Sequence, residues 1–144
     1  MENGVSLKKK LINGQLTIGS WITVGNTSVA EIMSQAGFDW LVVDIEHSAI
    51  SLHQVQNLVQ VIELAGIAPL VRVSENYHSV IKRIMDMGGH GVIVPMVNTP
   101  EEAWKAVQAV KYPPLGTRGV GLSRAQGYGM KFEEYRKWVN EESI

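Results

Sequence analysis

Four near-continuous apolar runs recur at roughly 25-residue spacing, each followed by a segment of helical periodicity, and this repeat constrains the fold more than any other feature. The runs cover residues 16–24, 40–44, 69–73 and 91–96. A strand that is wet on one face alternates apolar and polar residues. These do not, so both faces are expected to be covered, as in a parallel sheet clothed by helices. Helix signals lie between the runs. Ser28-Val29-Ala30-Glu31 fits a capping box for a helix running to Gly37, and Ser51-Leu52-His53-Gln54 fits another. Leu52, Val55, Leu58, Val59 and Ile62 then repeat at helical spacing up to Gly66. A helix over about residues 77–87 turns Val80, Ile81, Ile84 and Met85 inward, and Thr99-Pro100-Glu101-Glu102 opens one that ends near Lys111. Further helices are expected over residues 5–12 and 132–142.

A closed (β/α)8 barrel needs about 250 residues. The expected fold is therefore α/β, with parallel (β/α) units of a TIM-type barrel, about half of the eight-stranded barrel being present in a single domain over residues 1–144. A small open sheet is the alternative. The hydrophobic fraction of 45% and charged fraction of 19% fit a core of that size. A net charge of −1 without a basic stripe argues against nucleic acid or an anionic membrane as partner. The chain has no cysteine, which removes disulfides and thiolate metal sites. Lys8-Lys9-Lys10 is not followed by an apolar stretch of signal-peptide type, and a cytoplasmic location is expected.

The second apolar run, Trp40-Leu41-Val42-Val43, ends abruptly in Asp44-Ile45-Glu46-His47. Two carboxylates and an imidazole are costly to bury without partners, so they belong where the strand emerges, the end of a parallel sheet at which ligands bind. Imidazole titrates near neutral pH and suits proton transfer. Arg72, closing the third run, offers a fixed guanidinium able to hold an anionic oxygen and steady developing negative charge. Each has a plainer alternative: a hydrogen-bonded histidine, and a strand-end ion pair from Arg72 to Asp44 or Glu46.

The chain resembles the HpcH/HpaI aldolase family, metal-dependent aldolases with a pyruvate-type donor. The resemblance rests on Ala36-Gly37-Phe38-Asp39-Trp40, Asp44-Ile45-Glu46-His47, Val71-Arg72-Val73, Asp86-Met87-Gly88, Val94-Pro95-Met96-Val97 and residues 112–121, in order and spacing along nearly the whole chain. It implies that His47 is the general base and acid, that Arg72 steadies the enolate and that Asp86 raises the basicity of the histidine. It also implies a divalent metal (Mg, Mn or Co) whose glutamate and aspartate ligands lie outside this sequence, so that the chain is an amino-terminal portion of the barrel. On placement alone Asp44, at the strand end, is an easier partner for His47 than Asp86, near the end of a helix; both stay open, as does a pairing of Asp86 with Lys82 or Arg83.

Glu46 could hydrogen-bond a metal-bound water or pair structurally. Arg118, in Gly116-Thr117-Arg118-Gly119-Val120-Gly121, could meet the acidic end of an aldehyde or brace a subunit contact; the stretch follows a helix and Pro113-Pro114, so it is no dinucleotide fingerprint. His53, His78 and His90 are expected at the surface or in packing. Trp21, Trp40, Trp104 and Trp138 are expected as core or interface residues rather than a stacking platform.

The activity expected of the complete enzyme is aldolase (lyase) cleavage of a 2-keto-3-deoxy or 4-hydroxy-2-oxo acid to pyruvate and an aldehyde, the isolated 144-residue chain being expected inactive. The partners are those small molecules and further copies of the chain in a homo-oligomer. Two other readings compete. One is a non-catalytic half-barrel that self-associates through unpaired sheet edges. The other is a related acyl-CoA lyase, against which the lack of a basic patch for CoA phosphates counts.

Overall fold

The computed structural model describes residues 6–144. The expected helix start at Val5 and the reading of the first four residues lie outside the described residues. Strands β1 (Gly19–Ile22), β2 (Trp40–Asp44), β3 (Ala68–Arg72) and β4 (Gly91–Ile93) lie side by side in chain order, all parallel. Crossovers between parallel neighbours are right-handed, so a sheet whose order never reverses carries all its connecting helices on one face. A doubly wound sheet reverses its order and is covered on both faces. The arrangement is that of a rolled (β/α) sheet, with four strands of the TIM-type pattern.

The two faces are chemically distinct. Leu41, Val43 and Val71 point to the helices α2 (Thr27–Ser34), α3 (Leu52–Leu64), α4 (His78–Met87), α5 (Pro100–Val110) and α6 (Phe132–Glu142). They join Val55, Leu58, Ile62, Ile81 and Ile84 in the main core. Each such buried aliphatic side chain stabilises the fold by about 1.5–3 kcal/mol. On the opposite face Val42 and Leu70 pack with Leu7 of the short helix α1 (Leu7–Ile12), bordered by Trp40, Ala68, Ile93 and Ile144. Ile144 also lies along β4, its N–H donating to the His90 carbonyl (3.1 Å) and its carbonyl accepting from Val92 (3.0 Å). Only glycine fits at position 91, because a Cβ there would stand 2.1 Å from the Ile144 carbonyl oxygen. Among the described residues, no helix is long and apolar enough to cross a membrane.

The capping box at Ser51/Gln54 forms as expected, and the expected N-cap Thr99 completes a further box with Glu102, each with reciprocal side-chain and backbone bonds. The one expected at Ser28 does not. Asn26, in extended conformation, caps α2 by accepting from the Ser28 N–H (2.8 Å), which places Ser28 inside the first turn. β1 and β4 are shorter than their apolar runs. They are the outer strands, where a ladder lasts only as long as its single partner. Past Ile93 the chain turns through Pro95 and Met96, whose φ of 55° is incompatible with a strand.

Candidate active site at the carboxyl ends of the strands

The register brings the polar residues together. Asp44 pairs with Arg72 across β2 and β3, and Arg72 with Ile93. Side chains alternate along a strand, so Asp44 and Arg72 share the face of Val42 and Leu70, and Trp21, opposite Val42, shares it too. Arg72 Nε donates to Asp44 Oδ1 (2.9 Å) and Nη2 to Oδ2 (2.6 Å), a fork-to-fork pair with Asp44 only 2% exposed. The guanidinium holds the Asp44 carboxyl down to about 2, aided by backbone N–H groups of Glu46 and His47 that donate to Oδ1. Asp44 in turn raises the pKa of Arg72. A permanent, oriented cation therefore closes the strand ends.

Beyond this pair the chain turns through Glu46 and His47. Glu46 Oε2 lies 3.3 Å from Arg72 Nε, and Oε1 lies 3.5 Å from His47 Nε2. The imidazole is largely open to solvent, with 69% of its side chain exposed, whereas Glu46 is mostly covered. Asp44 thus meets His47 through the backbone amide and not through the ring; the carboxylate beside the ring is Glu46. Glu46 also forms one wall of a cleft of about 240 Å³ above β3 and β4, lined further by Ser74, Asn76, Pro95, Met96 and Lys105. Asn76 Nδ2 donates to the Glu102 carbonyl (2.8 Å), while its Oδ1 is buried without a donor.

Asp86 is elsewhere. It lies eight residues into α4, which runs back from the strand ends and carries it about 12 Å towards the opposite end of the sheet. There Arg118 Nη2 donates to its Oδ1 (2.6 Å). Within one chain Asp86 neither partners His47 nor pairs with Lys82 or Arg83. Arg118 is only 1% exposed, and it packs over the rings of Tyr112 (4.6 Å) and Tyr135 (5.4 Å). It can reach neither an aldehyde nor a subunit surface.

The segment after the glycine-rich stretch has a structural task. Ser123 Oγ donates to the Asp86 carbonyl, Arg124 Nη1 to that of Met87 and Tyr135 Oη to that of Met85. These bonds satisfy the Asp86 and Met87 carbonyls at the end of α4 and give a second donor to that of Met85, which also accepts from the N–H of Gly88, the left-handed residue that ends the helix (φ 105°). His53 contacts Asn57, and His90 packs edge-on against Trp138.

Trp21 makes a contact that its expected role as a core or interface residue does not include. Its ring lies over the Arg72 guanidinium, 4.7 Å from centroid to carbon, and the side chain is 42% exposed. Its position in the first apolar run was visible; that it reaches over β2 to a residue of β3 was not.

Among the described residues, no three histidine or acidic side chains gather to hold a metal ion. Asp44 and Glu46 are both turned to Arg72, so the residues present do not form a metal-binding set.

The sequence profile of the HpcH/HpaI aldolase/citrate lyase family matches residues 17–142. The chain is 44% identical over 113 residues to the 2-dehydro-3,6-dideoxy-6-sulfogluconate aldolase of Pseudomonas putida, covering 78% of this chain and 44% of that protein. It is 36% identical over 137 residues to the 2-keto-3-deoxy-L-rhamnonate aldolase of Klebsiella pneumoniae subsp. pneumoniae, covering 94% and 51%. The crystal structure of an HpcH/HpaI aldolase from Desulfitobacterium hafniense DCB-2 superposes with a TM-score of 0.87 at 34% identity, covering 98% of this chain and 55% of that one. The chain spans about half the length of the curated relatives it matches. On fold, motif order and sequence match together, it belongs to the HpcH/HpaI aldolase/citrate lyase family.

Proposed function

We propose that this chain carries the proton-transfer and enolate-steadying part of a carbon–carbon lyase site, cleaving a 2-keto-3-deoxy or 4-hydroxy-2-oxo acid to pyruvate and an aldehyde. One observation carries the reading: Glu46 lies within 3.3 Å of Arg72 and 3.5 Å of His47, so the guanidinium and imidazole meet at a single carboxylate beside an open cleft. The relatives named above are aldolases of acids in this class, which supports the substrate assignment.

In this reaction His47 takes the proton of the 4-hydroxyl, the C3–C4 bond breaks, and C4 leaves in the aldehyde. The bond's electron pair becomes the enolate of pyruvate. Arg72, already fixed by Asp44, offers its remaining N–H groups to the enolate oxygen, and the imidazolium returns the proton to C3. Glu46 orients the imidazole in place of Asp86, which lies at the other end of α4 within the same chain. A divalent ion is proposed to assist by polarising the keto acid. The described residues do not form its ligand set, and none of the steps assigned to His47 and Arg72 runs through it.

The test is pyruvate release from a 2-keto-3-deoxy acid, with magnesium or manganese added, by the chain and its His47→Ala variant. General acid–base catalysis is worth about 10²- to 10⁴-fold, and a loss of that order is expected. Equal, measurable release by the two proteins removes His47 from the mechanism, and no release by the wild type counts against activity of this chain on its own.

A further inference from the structure

We infer that Trp21 is the positioning residue of Arg72: its indole face fixes the plane of the guanidinium so that the edge left free by Asp44 faces a bound oxyanion. The inference rests on the reading of Arg72 as the oxyanion partner, and it assigns Trp21 a role that follows from geometry alone.

The fork to Asp44 uses Nε and Nη2 and leaves Nη1 for an oxygen from outside the pair. Two bonds to one carboxylate set the in-plane direction of the guanidinium. Rocking about the axis of that pair is limited by Glu46 Oε2, 3.3 Å from Nε, and by what touches the faces of the guanidinium. Trp21 touches one face, at 4.7 Å from the ring centroid. It can do so because β2 places Val42 in the row between Trp21 and Leu70, where a small β-branched side chain lets the indole lean across towards β3. A planar guanidinium over an aromatic face is both attracted and held in orientation.

The exposure of Trp21 bears on the same point. Of the residues sharing its face at this end, Val42 and Asp44 are buried, yet the indole stays 42% exposed beside a cation that is itself partly open. The indole stacks on a charge at the rim of the candidate site. An aliphatic residue of similar bulk would fill the space without orienting the charge, whereas a phenyl ring would keep a stacking face.

The experiment uses the 144-residue chain with nitrogen-15-labelled arginine, as wild type, Trp21→Leu and Trp21→Phe. The Arg72 Nε–H resonance is located by its loss in Arg72→Lys. In the wild type the indole ring current is expected to shift this resonance upfield. The shift is lost and the signal broadened or averaged in Trp21→Leu, and largely retained in Trp21→Phe. Oxalate, a planar mimic of the pyruvate enolate, is titrated by calorimetry into the three proteins. Binding roughly tenfold weaker in Trp21→Leu, with near-wild-type binding in Trp21→Phe, is the result expected from loss of one cation–π contact. An Arg72 resonance with the same position and width in all three proteins overturns the inference, as does equal oxalate affinity in the three. Failure of the wild type itself to bind oxalate counts against the keto-acid reading, and the Arg72 resonance then decides the role of Trp21 by itself.

Discussion

Asp44 is the residue on which the site depends. It is buried, paired through both oxygens to Arg72, and held down to about 2 by that pairing. An aspartate of the unfolded chain titrates near 3.9, so the folded form binds its proton less readily than the unfolded form. The stabilisation from this difference is complete above pH 4 and disappears as pH falls through about 2, amounting to about 2 kcal/mol. Urea unfolding of wild type and Asp44→Asn between pH 5 and pH 2 checks this. The wild type is expected to lose its advantage across that window, and identical pH slopes would show that Asp44 is not paired as described. Asp44, Glu46, His47 and Arg72 were legible in the sequence because charged residues ending apolar runs can lie only where strands emerge. The partners of Asp86, Arg118 and Trp21 were not. Those contacts join residues far apart in the chain, and which cation meets which carboxylate depends on how α4 returns along the sheet.

Among the elements, α4 best shows what local sequence can and cannot convey. Its inward face of Val80, Ile81, Ile84 and Met85 follows from spacing, and its stop follows from Gly88. Nothing local reveals that its final carbonyls are met by Ser123, Arg124 and Tyr135, or that Arg118 is buried against Asp86. Burial lowers the pKa of Arg118, but Tyr135 and Asp86 outweigh this and raise it, so the cation stays charged. Removing one member of a buried ion pair leaves the other uncompensated. Arg118→Ala is accordingly expected to cost about 3 kcal/mol in urea unfolding, more than Lys82→Ala on the same helix. A cost within about 0.5 kcal/mol, the range of an ordinary surface change, would contradict the assignment. The capping box of α3 and the N-cap of α5 were legible because a cap is complete within four residues. The cap of α2 was misplaced by two because Asn26 competes successfully with Ser28 for the same role.

For the whole molecule, the regular recurrence of strand and helix made the parallel topology readable. The depth of the outer strands was not readable, since it depends on partners. Among the described residues β1 pairs only with β2, and Leu16, Ile18 and Trp21 beside it are 85%, 56% and 42% exposed. A bare strand edge flanked by apolar side chains favours pairing with another copy. Concentration-dependent sedimentation is the expected behaviour, shifted towards smaller species by Ile18→Lys; one unchanging small species at every concentration would argue against self-association. The central claim is that one keto acid engages both His47 and Arg72. Titrating pyruvate into the chain labelled with nitrogen-15 in both arginine and histidine, while following the side-chain resonances of the two residues, tests this most directly. The account predicts that the two move together along one saturation curve. Movement of only one of them, or two curves with different midpoints, would show that they do not share a site.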